Sequence, residues 1–142
     1  MSLVARFVVN MTPVPQSRPR FAKGGVYEDR KVTDYKTAIR MTARMAMLRD
    51  APVEDAVALK LGFFFAPPKS TPKKKLDDFL GAWYTGRKDV DNLAKAVMDA
   101  MNEIVYDDDK QVVSLQCEKR YGIPARVEVE VERVAVALVA VE

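Results

Sequence analysis

Between Val90 and Ile104 the chain carries a single apolar stripe of helical period, and on either side of it the period changes to two. At 100° per residue Leu93, Val97, Ala100, Met101 and Ile104 share one sector, whereas Asp91, Lys95 and Asn102 fall on the opposite side. Upstream, Val57, Leu59, Leu61, Phe63 and Phe65 alternate with Ala58, Lys60, Gly62 and Phe64. Downstream, Val113, Leu115 and Cys117 alternate with Ser114 and Gln116, and Val127, Val129 and Val131 alternate with Glu128, Glu130 and Glu132. Half-buried strands on both sides of a one-faced helix predict an α/β (α+β) fold. We expect one domain over residues 1–142, with a mixed β-sheet of about four to five strands packed by two main helices.

The remaining segments fit around that frame. Leu3–Asn10 is β-branched and stops at Pro13 and Pro15, which predicts a first strand. Pro15–Lys31 mixes prolines, Gly24-Gly25 and bases, so it reads as a loop or extended arm. Thr33 looks like an N-cap, and Ile39, Ala43, Ala46 and Met47 recur at helical spacing, predicting a helix from about Asp34 to Arg49. Residues 67–88 form a basic loop with room for a short helix. Tyr106–Lys110 (YDDDK) is a polar turn. The strands around Val113–Cys117 and Val127–Val131 are close enough in sequence to form a hairpin. The tail Val134–Val141 is apolar on both faces and would prolong the sheet or pack on a partner.

Two counts limit the chemistry. Among 142 residues there is no histidine, which removes the commonest general base, the serine and cysteine triads and every histidine-bearing zinc site. The one cysteine, Cys117, leaves no intrachain disulfide and no thiolate metal cluster. A metal in this chain is therefore a hard cation on carboxylates. No stretch approaches the roughly 18 apolar residues of a membrane span, and no signal peptide is legible, so the expected location is the cytoplasm.

Charge is unevenly distributed. Gln16–Arg49 holds nine Lys/Arg against three Asp/Glu, and Pro67–Lys88 holds six against two, whereas Asp89–Glu132 holds five against eleven. Two basic segments before an acidic one suit a protein that neutralises phosphates with one region and gathers cations with another.

Candidate chemistry concentrates around the central helix. Asp89 and Asp91 lie at its start, where two acids one residue apart can converge on a metal and where the helix dipole favours negative charge. The alternative is an ordinary N-cap at Asp91 with Asp89 a solvated neighbour. Asp107-Asp108-Asp109 lies beyond the helix end and is equally readable as a solvated turn. Lys95 falls about 40° from Asp91 on the non-core face. It is either a surface salt-bridge partner or the cation of metal-assisted phosphoryl chemistry. In the basic segments, Arg18, Arg20 and Lys23 with Phe21 interleaved suit phosphate contacts and an aromatic wedge, against a solubilising loop. Lys73, Lys74 and Lys75 suit the same role less specifically. Trp83 and Tyr84 read as a small satellite core.

Lys88–Val112 (KDVDNLAKAVMDAMNEIVYDDDKQV) resembles the signature of the RusA family of Holliday junction resolvases, an Asp-x-Asp-Asn-x-x-Lys run followed by an Asp-Asp-x-Gln-Val turn. Pro15–Tyr35 resembles the arginine- and proline-rich arm of that family. The resemblance implies that Asp89, Asp91 and Asp109 bind metal, with Asp108 the next candidate, and that Lys95 is the catalytic lysine. It implies Mg²⁺, with Mn²⁺ as an alternative, and hydrolysis of phosphodiesters in four-way junction DNA. It also implies a homodimer that matches the two-fold symmetry of the junction, and a setting in recombination, repair or a phage. Asn92 and Gln111 match family positions and also suit structural roles, and Asp99 reads as structural. The other class of reading is a non-catalytic DNA-binding protein, which predicts metal-independent binding and no nicking. A small sugar-nucleotide transferase using Asp-x-Asp is disfavoured by the chain length.

Overall fold

The computed structural model describes residues 2–18, 20–22 and 24–134. The elements are β1 (Ser2–Val9), β2 (Arg20–Ala22), β3 (Gly25–Tyr27), α1 (Arg30–Ala46), β4 (Val57–Phe65), α2 (Lys73–Phe79), α3 (Val90–Ala100), β5 (Val112–Tyr121) and β6 (Arg126–Arg133). Four strands form one mixed sheet in the order β1-β6-β4-β5, and β2 and β3 form a separate two-stranded ribbon. The mixed sheet and the two packed helices are as the hydrophobic periods predict.

The alternating residues decide which face is covered. Val57, Leu59, Leu61, Phe63 and Phe65 of β4 and Val127, Val129 and Val131 of β6 are buried. They face Tyr35, Ile39 and Ala43 of α1 and Leu93, Val97 and Ala100 of α3 in one core. Burial at this density, at about 25 cal/mol per Å² of apolar surface, is the main term holding the two layers together. The opposite face of the sheet is uncovered among the described residues and carries the acids of the last strand. Glu128 there pairs with Arg126, and Glu130 with Arg6 and Lys60. The acidic surplus of Asp89–Glu132 is thus divided between two faces of the sheet and forms no single patch.

The last two strands do not form the expected hairpin. β4 lies between them, parallel to β5 and antiparallel to β6. A parallel neighbour needs a crossover, and the segment containing α2 and α3 supplies it, so β5 is committed to the free side of β4. The link over residues 122–125 then passes the end of β4 to reach β6. Gly122 makes that possible: a Cβ there would lie 2.8 Å from Phe64 Cδ1. Its N–H donates to the Phe65 carbonyl at 2.9 Å.

Both helices differ from their sequence limits for local reasons. α1 begins at Arg30 because Asp29, not Thr33, is its N-cap, accepting from the Lys31 N–H. The Thr33 hydroxyl instead donates to Glu28 Oε2 and to the Asp29 carbonyl. α3 stops at Ala100, and Glu103 follows in the left-handed region with φ 68°. The apolar stripe continues past the helix because Val105 and Tyr106 of the next turn are buried as well. Part of the expected loop before α1 is the β2–β3 ribbon, turned at Gly24, where φ is 105°. The short helix expected within residues 67–88 is α2. At the C-terminal end the Val134 N–H donates to the Ala56 carbonyl. The rest of the tail lies outside the described residues.

Candidate active site

The site is built along α3. Asp89 is its N-cap residue, with extended backbone and no side-chain cap bond, and Asp91 sits in the first turn. Asp91 is therefore not the N-cap that the alternative reading made it. Its Oδ1 accepts from the Asn92 N–H at 2.9 Å. Both carboxylates are exposed at the positive end of the helix dipole.

The approach to Asp89 is fixed by lysines that sequence reasoning passed over. Lys119 on β5 donates to the Lys88 carbonyl at 2.7 Å, and the Lys88 ammonium donates to the Pro13 carbonyl at 3.1 Å. Burial lowers the Lys88 pKa below the ordinary lysine value, and the charge of Lys31 acts in the same direction. Beneath Asp91 lies Cys117, whose thiol is pushed up by burial and then by the Asp91 charge.

Lys95, one turn further along α3, is exposed and forms no ion pair with Asp91 or any other carboxylate among the described residues. It lines a cleft of about 410 Å³ together with Asn92 and Asp99 of α3, and Gln16, Ser17 and Arg18 of the arm close the other side. The arm is pinned there by the Gln16 N–H, which donates to the Asn92 carbonyl at 2.9 Å. Gln16 Oε1 and Ser17 Oγ are buried without a hydrogen-bond partner among the described residues.

The acidic run resolves into three different environments. Asp107 is exposed. Asp108 caps the 3₁₀ turn Asp109–Gln111, accepting from the Lys110 N–H, while Gln111 Oε1 accepts from the Asp108 N–H. Gln111 also donates to the Val53 and Asp55 carbonyls, so its role here is structural. Asp109 is the acid that turns toward α3, its Oδ2 lying 3.5 Å from Asn102 Nδ2. Nearby, the Tyr106 hydroxyl donates to the Met98 carbonyl at 2.6 Å. Burial raises its pKa well above the usual tyrosine value, and the charges of Asp109, Asp99 and Asp108 add to that rise.

Asp89 and Asp91 thus lie at the start of α3, whereas Asp109 is held at Asn102, beyond the C-terminal end of that helix. No group of three or more Asp, Glu, Cys or His side chains able to hold a metal ion occurs among the described residues. Asp89 and Asp91 supply a pair of hard oxygen donors.

The basic residues are spread more widely. Arg18 is exposed at the cleft, and Lys73, Lys74 and Lys75 are exposed on α2. Arg20 lies in β2, on the ribbon where Phe21 is 84% exposed and Tyr27 50%. Lys23 lies outside the described residues. Trp83 and Tyr84 separate in character: Tyr84 packs on the core, whereas Trp83 stays exposed beneath the Arg120 guanidinium at 3.8 Å. Sequence reasoning missed Lys36, Glu28 and Asn102, which join the arm to α3. A lysine on the apolar side of a predicted helix was the signal available for the first of them.

The site thus sets carboxylates and an exposed lysine along one helix of a mixed-sheet domain, beside a basic arm. The family model for endodeoxyribonuclease RusA matches residues 10–132, and the chain belongs to the RusA endodeoxyribonuclease family. It is also 33% identical over 138 residues to the uncharacterized protein YqaN of Bacillus subtilis strain 168, covering 92% of this chain and 96% of that one. Among the described residues no helix is long and apolar enough to cross a membrane.

Proposed function

We propose that this member of the family resolves Holliday junctions by paired phosphodiester hydrolysis, as a Mg²⁺-dependent homodimer acting in recombination or repair, in the cytoplasm and in a cellular or phage setting. The observation that carries the reading is the exposed Lys95, without a carboxylate partner among the described residues, between Asp91 and the cleft formed with Arg18. An ammonium without a carboxylate partner is free to hold a phosphate. A divalent cation, when bound, supplies Lewis acidity and an activated water. Arg18 and the lysines of α2 hold backbone phosphates, and Phe21 stands out far enough to stack against a distorted base step. Lys95 meets the negative charge that grows on the phosphate.

The separation of Asp91 from Asp109 supports the dimer. A two-fold axis perpendicular to α3 runs the two copies of the helix antiparallel, which sets Asp89 and Asp91 of one chain against Asp109 of the partner subunit. The covering surface is available on β5. This strand is at the sheet edge, where Leu115, in register with the buried Leu59, is 43% exposed and Val113 is 62% exposed. The 81–84 segment pairs only with its far end, at Lys119–Tyr121.

The test is incubation of the purified protein with a synthetic four-way junction and with linear duplex, in Mg²⁺, in Mn²⁺ and in EDTA. Paired symmetric nicks confined to the junction and absent in EDTA are expected, and Asp91→Asn is expected to bind the junction without cutting it. Metal-independent binding with no nicks under any condition would establish a non-catalytic DNA-binding protein instead.

A further inference from the structure

Lys36 is the only charged residue that is fully buried among the described residues, at 2% exposure. Its ammonium donates to Glu28 Oε1 at 2.7 Å and to Asp99 Oδ2 at 2.6 Å. Each partner leads further. Glu28 Oε1 also accepts from Gln16 Nε2 of the arm at 3.1 Å. On the other side, Asp99 Oδ1 accepts from Asn102 Nδ2 at 3.4 Å, and the same Nδ2 reaches Asp109 Oδ2 at 3.5 Å. Gln16, Glu28, Lys36, Asp99, Asn102 and Asp109 thus form one continuous polar path from the arm to the far end of α3.

Stability alone does not call for a lysine here. An apolar side chain of similar length fills the same space without desolvating an ammonium, and buried ion pairs contribute little net stability. What the ammonium does secure is an arrangement. It holds two carboxylates from different segments at one point, where without it they repel each other. The Asn102 amide then spans Asp99 and Asp109, with one N–H available to each.

We propose that Lys36 is a positioning residue that orders the DNA-gripping arm and Asp109 together, coupling engagement of the junction to the placement of a catalytic carboxylate. The functional half of this rests on the nuclease reading above; the structural coupling does not. Removing the ammonium drives Glu28 away from Asp99, which loosens the arm. It also releases Asp99, so that the Asn102 amide bridging Asp99 to Asp109 loses its fixed end.

Amide hydrogen exchange and junction cleavage on the full-length protein test it, with Lys36→Met, Lys36→Arg and Asn102→Ala. In Lys36→Met, exchange rises about tenfold or more in both residues 16–18 and residues 109–111, while β4 and β6 are unchanged. Junction affinity and kcat both fall, and the Mg²⁺ concentration for half-maximal cleavage rises about tenfold. Lys36→Arg, which keeps the charge, recovers most of each effect. Asn102→Ala raises exchange only at 109–111 and moves only kcat and the Mg²⁺ requirement. A folded Lys36→Met protein whose exchange rises at one end alone, or at neither, overturns the coupling. Where Lys36→Met does not fold, wild-type exchange at 109–111 in Asn102→Ala overturns it equally. A wild-type protein that leaves junctions uncut removes the nuclease reading, and the exchange data still decide the coupling.

Discussion

Tyr84 lies flat on Phe65, with ring centroids 3.9 Å apart and planes 16° from parallel. Tyr121 meets Tyr84 edge-on at 5.3 Å, and the Lys119 ammonium stands 5.5 Å from the Tyr84 ring centre. This cluster clamps the exit of the basic loop to the ends of β4 and β5, five residues before Asp89. Tyr84→Ala is expected to cost about 2–3 kcal/mol in urea unfolding. Trp83→Ala, which loses a solvent-facing stack on Arg120, is expected to cost about 1 kcal/mol or less. Equal losses in the two variants contradict the division.

The arrangement of the carboxylates predicts complementation between two inactive proteins. Asp91→Asn and Asp109→Asn are each expected to lose cleavage. If Asp91 of one chain works with Asp109 of its partner, a mixed dimer keeps one intact site and one doubly defective site. Random mixing then restores about one quarter of the sites, which nick one strand of a junction but do not resolve it. Single-chain sites give no recovery, so the nicking of mixed samples separates the two arrangements.

Val113 and Leu115 are apolar and exposed on an edge strand, a placement that soluble chains ordinarily blunt with charge. Leu115→Lys is expected to keep the fold, because the residue projects beyond the packed core. It should shift sedimentation from dimer to monomer and abolish cleavage with it. A wild-type protein that sediments as a monomer, or a Leu115→Lys variant that cuts junctions as well as wild type does, would remove the interface.

Glu28 provides a pH signature. Burial pushes its carboxyl up, but hydrogen bonds from Lys36, Gln16 and Thr33, with the charge of Lys36, outweigh it and hold the pKa below the ordinary value of 4.5. A carboxylate depressed in the folded state stabilises the protein above its unfolded pKa and loses that contribution as pH falls through the folded one. Wild type should therefore be more stable than Glu28→Gln at neutral pH, and the gap should close as the pH falls below 4.5 and through the depressed folded pKa. A gap that is constant with pH excludes the carboxylate charge as its source.

Much of the fold follows from local pattern. The alternation in Val57–Phe65 and Val127–Val131 fixes which side chains are buried, because a strand has only two faces, and the stripe from Leu93 to Met101 fixes which side of α3 meets them. Helix limits were less legible. Asp29 and Thr33 are both good caps, and only the bond from Lys31 to Asp29 settles where α1 begins. The pairing of the last strands was misread for a stronger reason. Proximity in sequence favours a hairpin between β5 and β6, but the crossover through α3 commits β5 to a parallel place beside β4, and Gly122 lets the chain pass on to β6.

The residues of the site divide the same way. Spacing alone put Asp91 and Lys95 on the open side of the helix, since the 3.6-residue period is a local property. Which acid of Asp107-Asp108-Asp109 faces α3 depends on the cap that Asp108 forms and on the reach of Asn102, and both exist only once the turn is folded. The distance between Asp91 and Asp109 and the burial of Lys36 between Glu28 and Asp99 were likewise decided by tertiary structure alone. Charges far apart in sequence carry no information about one another until helices and sheet bring them to one point, or hold them apart.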